Sequence, residues 1–331
     1  NTQTLWSGQF HLHHQYIVFL NNQFLKTISV VQPYSLHNID DNIAQLAPST
    51  VRDYIELTKP GVLLLIVFTA TTGLIIAEQS INFFLSITVI LAIALASSGS
   101  AAINMWYDRD IDRLMVRTKN RPVAAKRITA DNALAFGSIL ILISAILMFL
   151  ATNVLATIIL LFASFFYIYV YTIWLKRITP QNIVIGGAAG AFPPVISYAA
   201  VTNSISLNAV LLFLIVFIWT PPHFWALALK KNNDYKIAKI PMMPLAKGIP
   251  STINHIIFYS ILLCILTYAL MLSMPQLGYL YLIVTTLSNI KFLQLVYMVR
   301  KDWEKYSMKL FGFSILYLFL IFGIINLEFY I

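Results

Sequence analysis

The chain has 331 residues, of which 59% are hydrophobic and 11% are charged, with a formal net charge of +9. Soluble globular domains carry about 25% charged residues, so this composition excludes an ordinary soluble protein and indicates an integral membrane protein. The chain has one cysteine, Cys264, which excludes an internal disulfide framework. We interpret this cysteine as a small buried apolar side chain.

Residues 1–50 differ in composition from the rest and are predicted to be a poorly ordered accessory extension. They contain the histidine cluster HLHHQ at 11–15 and one basic residue, Lys26. A secretory signal needs a positive first segment and a mitochondrial presequence needs arginines, so this segment resembles neither. We interpret the histidines as incidental, and residues 51–331 as one transmembrane domain.

Several segments are long and apolar enough to cross a bilayer, whose hydrocarbon core of about 30 Å needs about 20 helical residues. The nine segments lie at about 61–78, 83–104, 131–151, 154–174, 182–202, 207–229, 251–273, 276–298 and 309–331. The predicted fold is therefore an all-α integral membrane protein.

Lysine and arginine lie mostly on one side of these spans. If the spans alternate in direction, that side comprises the segment before the first span and the loops 105–130, 175–181, 230–250 and 299–308. The opposite loops contain neither lysine nor arginine. The positive-inside rule places the basic side in the cytoplasm, which explains the net charge without a nucleic-acid partner.

A cluster of acids, NMWYDRDID at 104–112, follows a run of uncharged residues at the end of the second span. Asn104, Asp108 and Asp112 have the spacing i, i+4, i+8, which places them along one face of a helix. Like charges at this spacing repel each other. Mg²⁺ prefers oxygen ligands and is usually bound by carboxylates and substrate phosphates together. A bound Mg²⁺ would therefore offset the repulsion between these acids. Asp110 points elsewhere and is expected to pair with a neighbouring arginine.

Cations follow these acids in the segment RTKNRP at 117–122. Acids that hold Mg²⁺ beside cations that hold phosphate are a usual arrangement for a diphosphate site. The alternative is an ordinary cytoplasmic loop in which the acids balance Arg109, Arg113 and Arg117.

These motifs resemble those of the UbiA-type intramembrane prenyltransferases, over about residues 52–331. The first motif of that family is similar to Asn104-x-x-x-Asp108-x-x-x-Asp112 followed by Arg117 and Arg121-Pro122. Further matches are LTKPGV at 57–62, YTIWLKRIT at 171–179 and TPPHFWALALKKNNDYKIAKIPMMP at 220–244. The last segment is similar to the branch of the family that farnesylates heme.

The resemblance implies nine helices around a central cavity that opens toward lipid. It implies transfer of a farnesyl group from farnesyl diphosphate to a vinyl group of protoheme IX, which gives heme O for respiratory oxidases. Mg²⁺ would be the cofactor, and the two substrates and the lipid bilayer the partners. A downstream heme-modifying enzyme is a candidate partner, and the expected location is the bacterial inner membrane, with the active-site loops in the cytoplasm.

The second acid-bearing loop departs from the family pattern. Most of the family carries Asp-x-x-x-Asp after the sixth span, whereas here Asp234 is followed by Ala238. Asp234 is expected to bind metal together with the first motif, and the number of metal ions stays open. Lys230 precedes Asp234 by one turn, so it is expected to contact the diphosphate directly; alternatively Asp234 is a surface acid paired with Lys230 or Lys231.

Basic residues at the cytoplasmic helix ends would neutralise the departing diphosphate. The candidate diphosphate contacts are Lys59, Arg117, Arg121, Tyr171, Lys176, Arg177 and Lys230. Lys59, Tyr171 and the two basic residues that follow it can equally be interfacial anchors.

His223 follows Pro221 and Pro222 inside the sixth span, where we expect a kink. An ionisable group within the membrane is costly and usually faces a cavity. This histidine could ligate heme iron, act as a base, or bond a backbone carbonyl freed by the prolines. GGAAGAFPP at 186–194 is interpreted as helix packing followed by a proline break.

Two rival functions fit part of the sequence. A prenyltransferase acting on an aromatic quinone precursor would be expected to keep the second Asp-x-x-x-Asp, so Ala238 and TPPHFW at 220–225 argue against it. A transporter would tend to place charges near the bilayer midplane and to have symmetric halves. Here the acids cluster at one face of the membrane.

Overall fold

The computed structural model describes residues 49–77 and 82–329, and within them the regular structure is entirely helical. The histidine cluster at 11–15 and nearly all of the predicted extension 1–50 lie outside the described residues. The described chain contains α1 (Val51–Leu57), α2 (Pro60–Ile75), α3 (Phe83–Tyr107), α4 (Arg109–Leu114), α5 (Ala130–Ala151), α6 (Val154–Phe165) continued by a π-helix (Phe166–Leu175), α7 (Asn182–Ala191), α8 (Pro193–Thr202), α9 (Leu207–Lys230), α10 (Asn232–Ile237), α11 (Met243–Lys247), α12 (Ile249–Ser273), α13 (Tyr279–Lys301) and α14 (Trp303–Glu328).

Eight helical segments of the described chain are long and apolar enough to cross a membrane, and the count is nine if α1 and α2 form one span. In that count α6 joins the π-helix, and α7 joins α8. The prediction of an all-α protein with about nine transmembrane helices is confirmed. Cys264 is buried, as predicted.

The chain bends before the first span, which runs over Pro60–Ile75 where about 61–78 was expected. α1 and α2 meet at an angle of 54°. Lys59 between them has a φ of 53°, in the left-handed region, and Pro60 then begins α2 without needing a hydrogen-bond donor. The last span begins at Trp303, six residues before the predicted start. Asp302 caps it there, because its carboxylate accepts a hydrogen bond from the Lys305 amide at 3.1 Å.

Two large apolar clusters hold most of the spans together, and spans from both line a cavity. One apolar cluster joins α9 with α12, α13 and α14, and a second joins α2, α3, α5, α6 and α8. α3 and α5 approach closely, because a Cβ atom at Gly99 would lie only 2.5 Å from the carbonyl oxygen of Gly137. This close packing fixes the end of α3, which carries the first motif.

Candidate active site

A cavity of about 830 Å³ lies among α2, α3, the π-helix, α7, α8, α9 and α14. Most of its wall is apolar. The polar and charged side chains that line it include Lys59, Asn104, Asp112, Arg117, Arg121, Tyr167, Tyr171, Lys176 and His223. The cavity therefore has a charged end and an apolar interior, which suits a molecule with a phosphate head and a hydrocarbon tail.

The first motif is buried as one continuous face. α3 ends at Tyr107 with Asp108 as its C-cap, yet the Asp112 amide still donates to the Asp108 carbonyl oxygen at 2.8 Å, so the helical path continues into α4. Asn104 Nδ2 donates to Asp108 Oδ2 at 2.8 Å. Asn104 is 2% exposed, and Asp108 and Asp112 are fully buried. The structure thus brings together the three residues that the spacing placed on one face.

Each member of this motif has a cationic partner from a different segment. Arg121 Nη1 donates to both carboxylate oxygens of Asp112, at 3.0 and 2.8 Å. Lys176 forms an ion pair with Asp108. Lys59 Nζ donates to Asn104 Oδ1 at 2.7 Å. Buried carboxylates need such partners, because an unpaired charge in an apolar interior is costly.

Asp110 lies off this face and pairs with an arginine, as expected. The partner, Arg177, lies 67 positions away rather than in the same loop, and it donates two hydrogen bonds of 2.7 Å. Partial burial opposes ionisation of the carboxyl, but the two bonds from Arg177 outweigh it and lower the pKa of Asp110 below its ordinary value. Arg177 also lies 3.7 Å from Asp108 Oδ1, behind the cavity wall.

The π-helix supplies contacts that sequence reasoning missed. Lys59 Nζ donates to the Tyr167 hydroxyl at 3.3 Å, and the Tyr167 and Tyr171 rings stack 5.5 Å apart. Asn104 Nδ2 donates to Thr172 Oγ1 at 3.1 Å. The wider turn of a π-helix changes which side chains share a face, so helical spacing in the sequence could not identify Tyr167 or Thr172.

The glycines of α7 pack against two of the cavity walls. A Cβ atom at Gly186 would lie 2.2 Å from the Tyr171 ring, and one at Gly187 would lie 2.8 Å from Thr220. Both contacts agree with the packing role expected for GGAAGAFPP. Gly190 differs: it lines the cavity, and an added Cβ would meet no atom within 4 Å.

His223 lines the apolar part of the same cavity. α9 runs through Pro221 and Pro222 as one helix. Nδ1 of His223 lies 2.6 Å from the hydroxyl oxygen of Ser314, so its observed partner is a side chain on α14 and not a freed backbone carbonyl.

The second acid-bearing loop meets the first loop through apolar contacts. Ile111 and Met115 cluster with Tyr235 and Ala238. Ala238, which stands where most of the family carries an aspartate, is 6% exposed, and a carboxylate there would be desolvated among apolar side chains. Ala238 thus contributes to the apolar contact between the two loops.

Four expected site residues lie outside the cavity wall: Asp108, Arg177, Lys230 and Asp234. Lys230 Nζ is directed toward the Glu304 carbonyl oxygen, 3.2 Å away. The expectation that Lys230 contacts the diphosphate therefore finds no support in its position. Asp234 is also absent from the wall, although the adjacent Tyr235 lines it.

The donor set fits Mg²⁺ only if the substrate completes the coordination. Within the described chain, no three Asp, Glu, His or Cys side chains lie close enough to hold a metal ion by themselves. Two carboxylate oxygens, Asp108 Oδ1 and Asp234 Oδ2, are nevertheless buried without a hydrogen-bond partner among those residues. Mg²⁺ usually takes one or two carboxylates together with substrate phosphates, which matches these oxygens.

The sequence model of the UbiA prenyltransferase family matches residues 66–322. The chain belongs to the UbiA prenyltransferase family. Its relatives include the protoheme IX farnesyltransferase of Orientia tsutsugamushi (strain Ikeda), 49% identical over 85% of this chain and 90% of the relative. That of Rickettsia bellii (strain OSU 85-389) is 48% identical over 84% of this chain and 93% of the relative.

Solved structures share the UbiA fold. A digeranylgeranylglyceryl phosphate synthase aligns with a TM-score of 0.70 at 20% identity, covering 84% of this chain and 98% of that one. A UbiA homolog from Archaeoglobus fulgidus, bound to GPP and Mg²⁺, aligns with a TM-score of 0.61 at 17% identity, covering 82% and 99%. These likenesses confirm the UbiA-like fold implied by the sequence motifs.

Proposed function

We propose that this UbiA-family chain transfers a farnesyl group from farnesyl diphosphate to a vinyl group of protoheme IX and so makes heme O. The carrying observation is one cavity whose wall includes Asn104 and Asp112 of the first motif, the cations beside them, and His223. Relatives that align with most of this chain at 47–49% identity are named protoheme IX farnesyltransferases. The same reaction accounts for both a phosphate-binding end and an apolar interior.

The charged end of the cavity binds the diphosphate. Lys59, Arg117, Arg121 and Lys176 line it, so four cations face the leaving group. Mg²⁺ shared between the substrate and one or two of the carboxylates of Asp108, Asp112 and Asp234, together with Asn104, would neutralise the phosphate oxygens. The lysines and arginines add fixed positive charge where negative charge develops, in a site poor in water.

Two of these cations must exchange partners when the diphosphate binds. Arg121 is bonded to Asp112, and Lys176 is paired with Asp108. With Mg²⁺ bound by the carboxylate oxygens, Arg121 and Lys176 would be free to donate to phosphate oxygens. This exchange keeps the buried acids compensated in both states.

The prenyl carbon becomes positive as the bond to the diphosphate oxygen breaks and the electron pair leaves with the diphosphate. Tyr167 and Tyr171 line the cavity beside Lys59, and the faces of such rings attract a carbocation. The vinyl π pair of heme then forms the new carbon–carbon bond. Water adds to the resulting heme cation as a hydroxyl group and releases one proton.

We assign His223 to the heme substrate. It lies in the apolar part of the cavity and precedes Lys230 by seven residues, or about 10 Å along a helix. An imidazole at this depth suits ligation of the heme iron, with the vinyl group directed toward the charged end.

The distribution of basic residues supports a cytoplasmic position for the first motif and its cations. The location proposed for the chain is the bacterial inner membrane, and the consumer of heme O is a heme-modifying enzyme. These assignments rest on the positive-inside rule and on the bacterial sources of the relatives.

The proposed function is tested by mass spectrometry of heme extracted from bacterial membranes that express the chain in a host lacking its own heme O. We expect heme carrying a hydroxyethylfarnesyl group. Unmodified protoheme alone would contradict the proposal, and a prenylated quinone precursor in the same membranes would support the rival substrate.

A further inference from the structure

The ring of His223 is held on three sides. Trp219 stacks on it with ring centroids 4.3 Å apart, and Phe311 stacks with centroids 4.5 Å apart. Nδ1 lies 2.6 Å from the hydroxyl oxygen of Ser314. The stacked rings fix the plane of the imidazole, and the contact with Ser314 fixes which edge faces α14.

The hydrogen bonds of Ser314 determine where the imidazole proton lies. A serine hydroxyl has one hydrogen to donate and two lone pairs that accept. Ser314 Oγ donates its hydrogen to the Phe311 carbonyl oxygen at 2.6 Å. Because that hydrogen is already used, the oxygen can meet His223 Nδ1 at 2.6 Å only as an acceptor. The proton of the neutral imidazole therefore lies on Nδ1, which leaves the lone pair on Nε2.

The position of Ser314 is itself fixed by a second contact. Trp219 Nε1 donates to the Ser314 carbonyl oxygen at 2.7 Å, and Ser314 is fully buried. Within the described chain, the ring of His223 makes its hydrogen bond through Nδ1 alone, and the residue lines the cavity. Nε2 is thus the ring nitrogen left for a ligand.

We propose that Ser314 is a positioning residue that holds His223 protonated at Nδ1 and so presents the Nε2 lone pair to the iron of the heme substrate. This inference rests on the proposed function. Histidines that ligate metals usually donate their other ring N–H to a nearby acceptor, which fixes the tautomer and raises the basicity of the ligating nitrogen. Here a neutral serine oxygen takes that place, as suits a site within the membrane where a carboxylate would be costly.

The test uses three serine variants of the full chain. Ser314→Ala removes the acceptor, whereas Ser314→Thr keeps a hydroxyl at the same position. Ser307→Ala is the matched control, because Ser307 is a second fully buried serine of α14, and its hydroxyl has no hydrogen-bond partner within the described residues. A further variant, His223→Ala, shows which signals in the nitrogen-15 spectra belong to His223.

Two readouts separate the tautomer from heme binding. Nitrogen-15 spectra of histidine-labelled, heme-free protein report which ring nitrogen of His223 carries the proton. Titration with protoheme, followed by its absorbance, reports affinity and axial ligation. We expect an Nδ1-protonated ring in the wild type, Ser314→Thr and Ser307→Ala, and loss of that single tautomer in Ser314→Ala. Ser314→Ala should also weaken heme affinity about 10- to 100-fold without changing farnesyl diphosphate binding.

Three results would overturn the inference. One is an Nε2-protonated ring in the heme-free wild type, and another is wild-type heme affinity in Ser314→Ala. The third is equal loss of heme and farnesyl diphosphate binding in Ser314→Ala, which would indicate general damage to the cavity. Wild-type heme affinity in His223→Ala would instead overturn the assignment of His223 in the proposed function, whichever tautomer the spectra report.

Discussion

At the scale of single residues, the negative charges of the first motif are already paired with basic side chains of the same chain. Asp112 is bonded by Arg121, and Asp108 is paired with Lys176. The same acids and cations are the groups that a metal diphosphate would engage. Substitutions within this set should therefore affect substrate binding and chemistry, and those that leave a buried charge without its partner should also lower stability.

Asp112→Asn is expected to lower turnover by about two to three orders of magnitude, because it removes an anionic ligand without changing side-chain shape. Asp108→Asn should behave in the same way. The measurement is turnover against Mg²⁺ concentration in purified protein. Asp110→Asn is the matched control: its carboxylate is 59% exposed and pairs with Arg177 outside the cavity, so its turnover should stay near wild type. Wild-type turnover in both Asp108→Asn and Asp112→Asn would refute the metal assignment.

Lys176 and Lys230 are both candidate diphosphate contacts by sequence, and their positions in the structure differ. Lys176 lines the cavity, whereas Lys230 contacts the Glu304 carbonyl outside it. We expect Lys176→Ala to weaken farnesyl diphosphate binding by at least about tenfold, since a charge-assisted contact is worth about 1.5–3 kcal/mol. Lys230→Ala should leave it unchanged. Calorimetric titration with a non-hydrolysable diphosphate would measure both, and equal losses would contradict the assignment.

At the scale of elements, the π-helix and α7 together set the shape of the charged end. The π-helix brings Tyr167 beside Lys59 and Thr172 beside Asn104. α7 admits the Tyr171 ring only because Gly186 has no side chain. The two elements act as one unit in positioning the tyrosines.

Gly186→Ala is expected to destabilise the protein by about 1–3 kcal/mol, because the new methyl group would overlap the Tyr171 ring. Displacement of that ring should also weaken diphosphate binding. Gly312→Ala on α14 is the control, since its new Cβ would meet no atom within 4 Å. Thermal unfolding in detergent compares the two variants. A melting temperature of Gly186→Ala as high as that of Gly312→Ala would rule out the close contact.

At the scale of the whole molecule, the helix packing brings loops distant in sequence to one end of the bundle. α4 and α10, from the two acid-bearing loops, meet through Ile111 and Tyr235. Arg127 holds the intervening basic loop to α1 through ion pairs with Asp53 and Glu56. The pKa of Arg127 is raised, chiefly by its hydrogen bond to Glu56. All of these segments belong to the side expected to face the cytoplasm.

The proposed orientation predicts one-sided chemical labelling. In a Cys264→Ser background, a cysteine introduced in the loop 113–127 should react with a membrane-impermeant reagent only in inverted vesicles. A cysteine introduced in the loop 203–206 should react only in intact cells. The two variants differ only in which loop carries the introduced cysteine, so their labelling can be compared directly. The reverse pattern would place the first motif and its cations outside the cytoplasm.

Hydropathy predicts the span count, helical spacing predicts the shared face of Asn104, Asp108 and Asp112, and the resemblance of the motifs indicates the family. The first two depend on regularities within short stretches of chain: the apolar run that a bilayer requires and the 3.6-residue turn. The positions of Lys230 and Ser314 could not be predicted in this way. They depend on which helices pack against one another, and the periodicity of a single sequence does not show this.

The central claim is that one cavity joins farnesyl diphosphate to protoheme IX. It is tested most directly with the purified full chain in lipid nanodiscs, supplied with Mg²⁺, protoheme IX and farnesyl diphosphate in ¹⁸O-labelled water. The account predicts a product, seen by mass spectrometry, that carries the farnesyl group and one labelled hydroxyl oxygen, and its loss in Asp112→Asn. Recovery of unmodified protoheme from the wild-type chain under these conditions would contradict it.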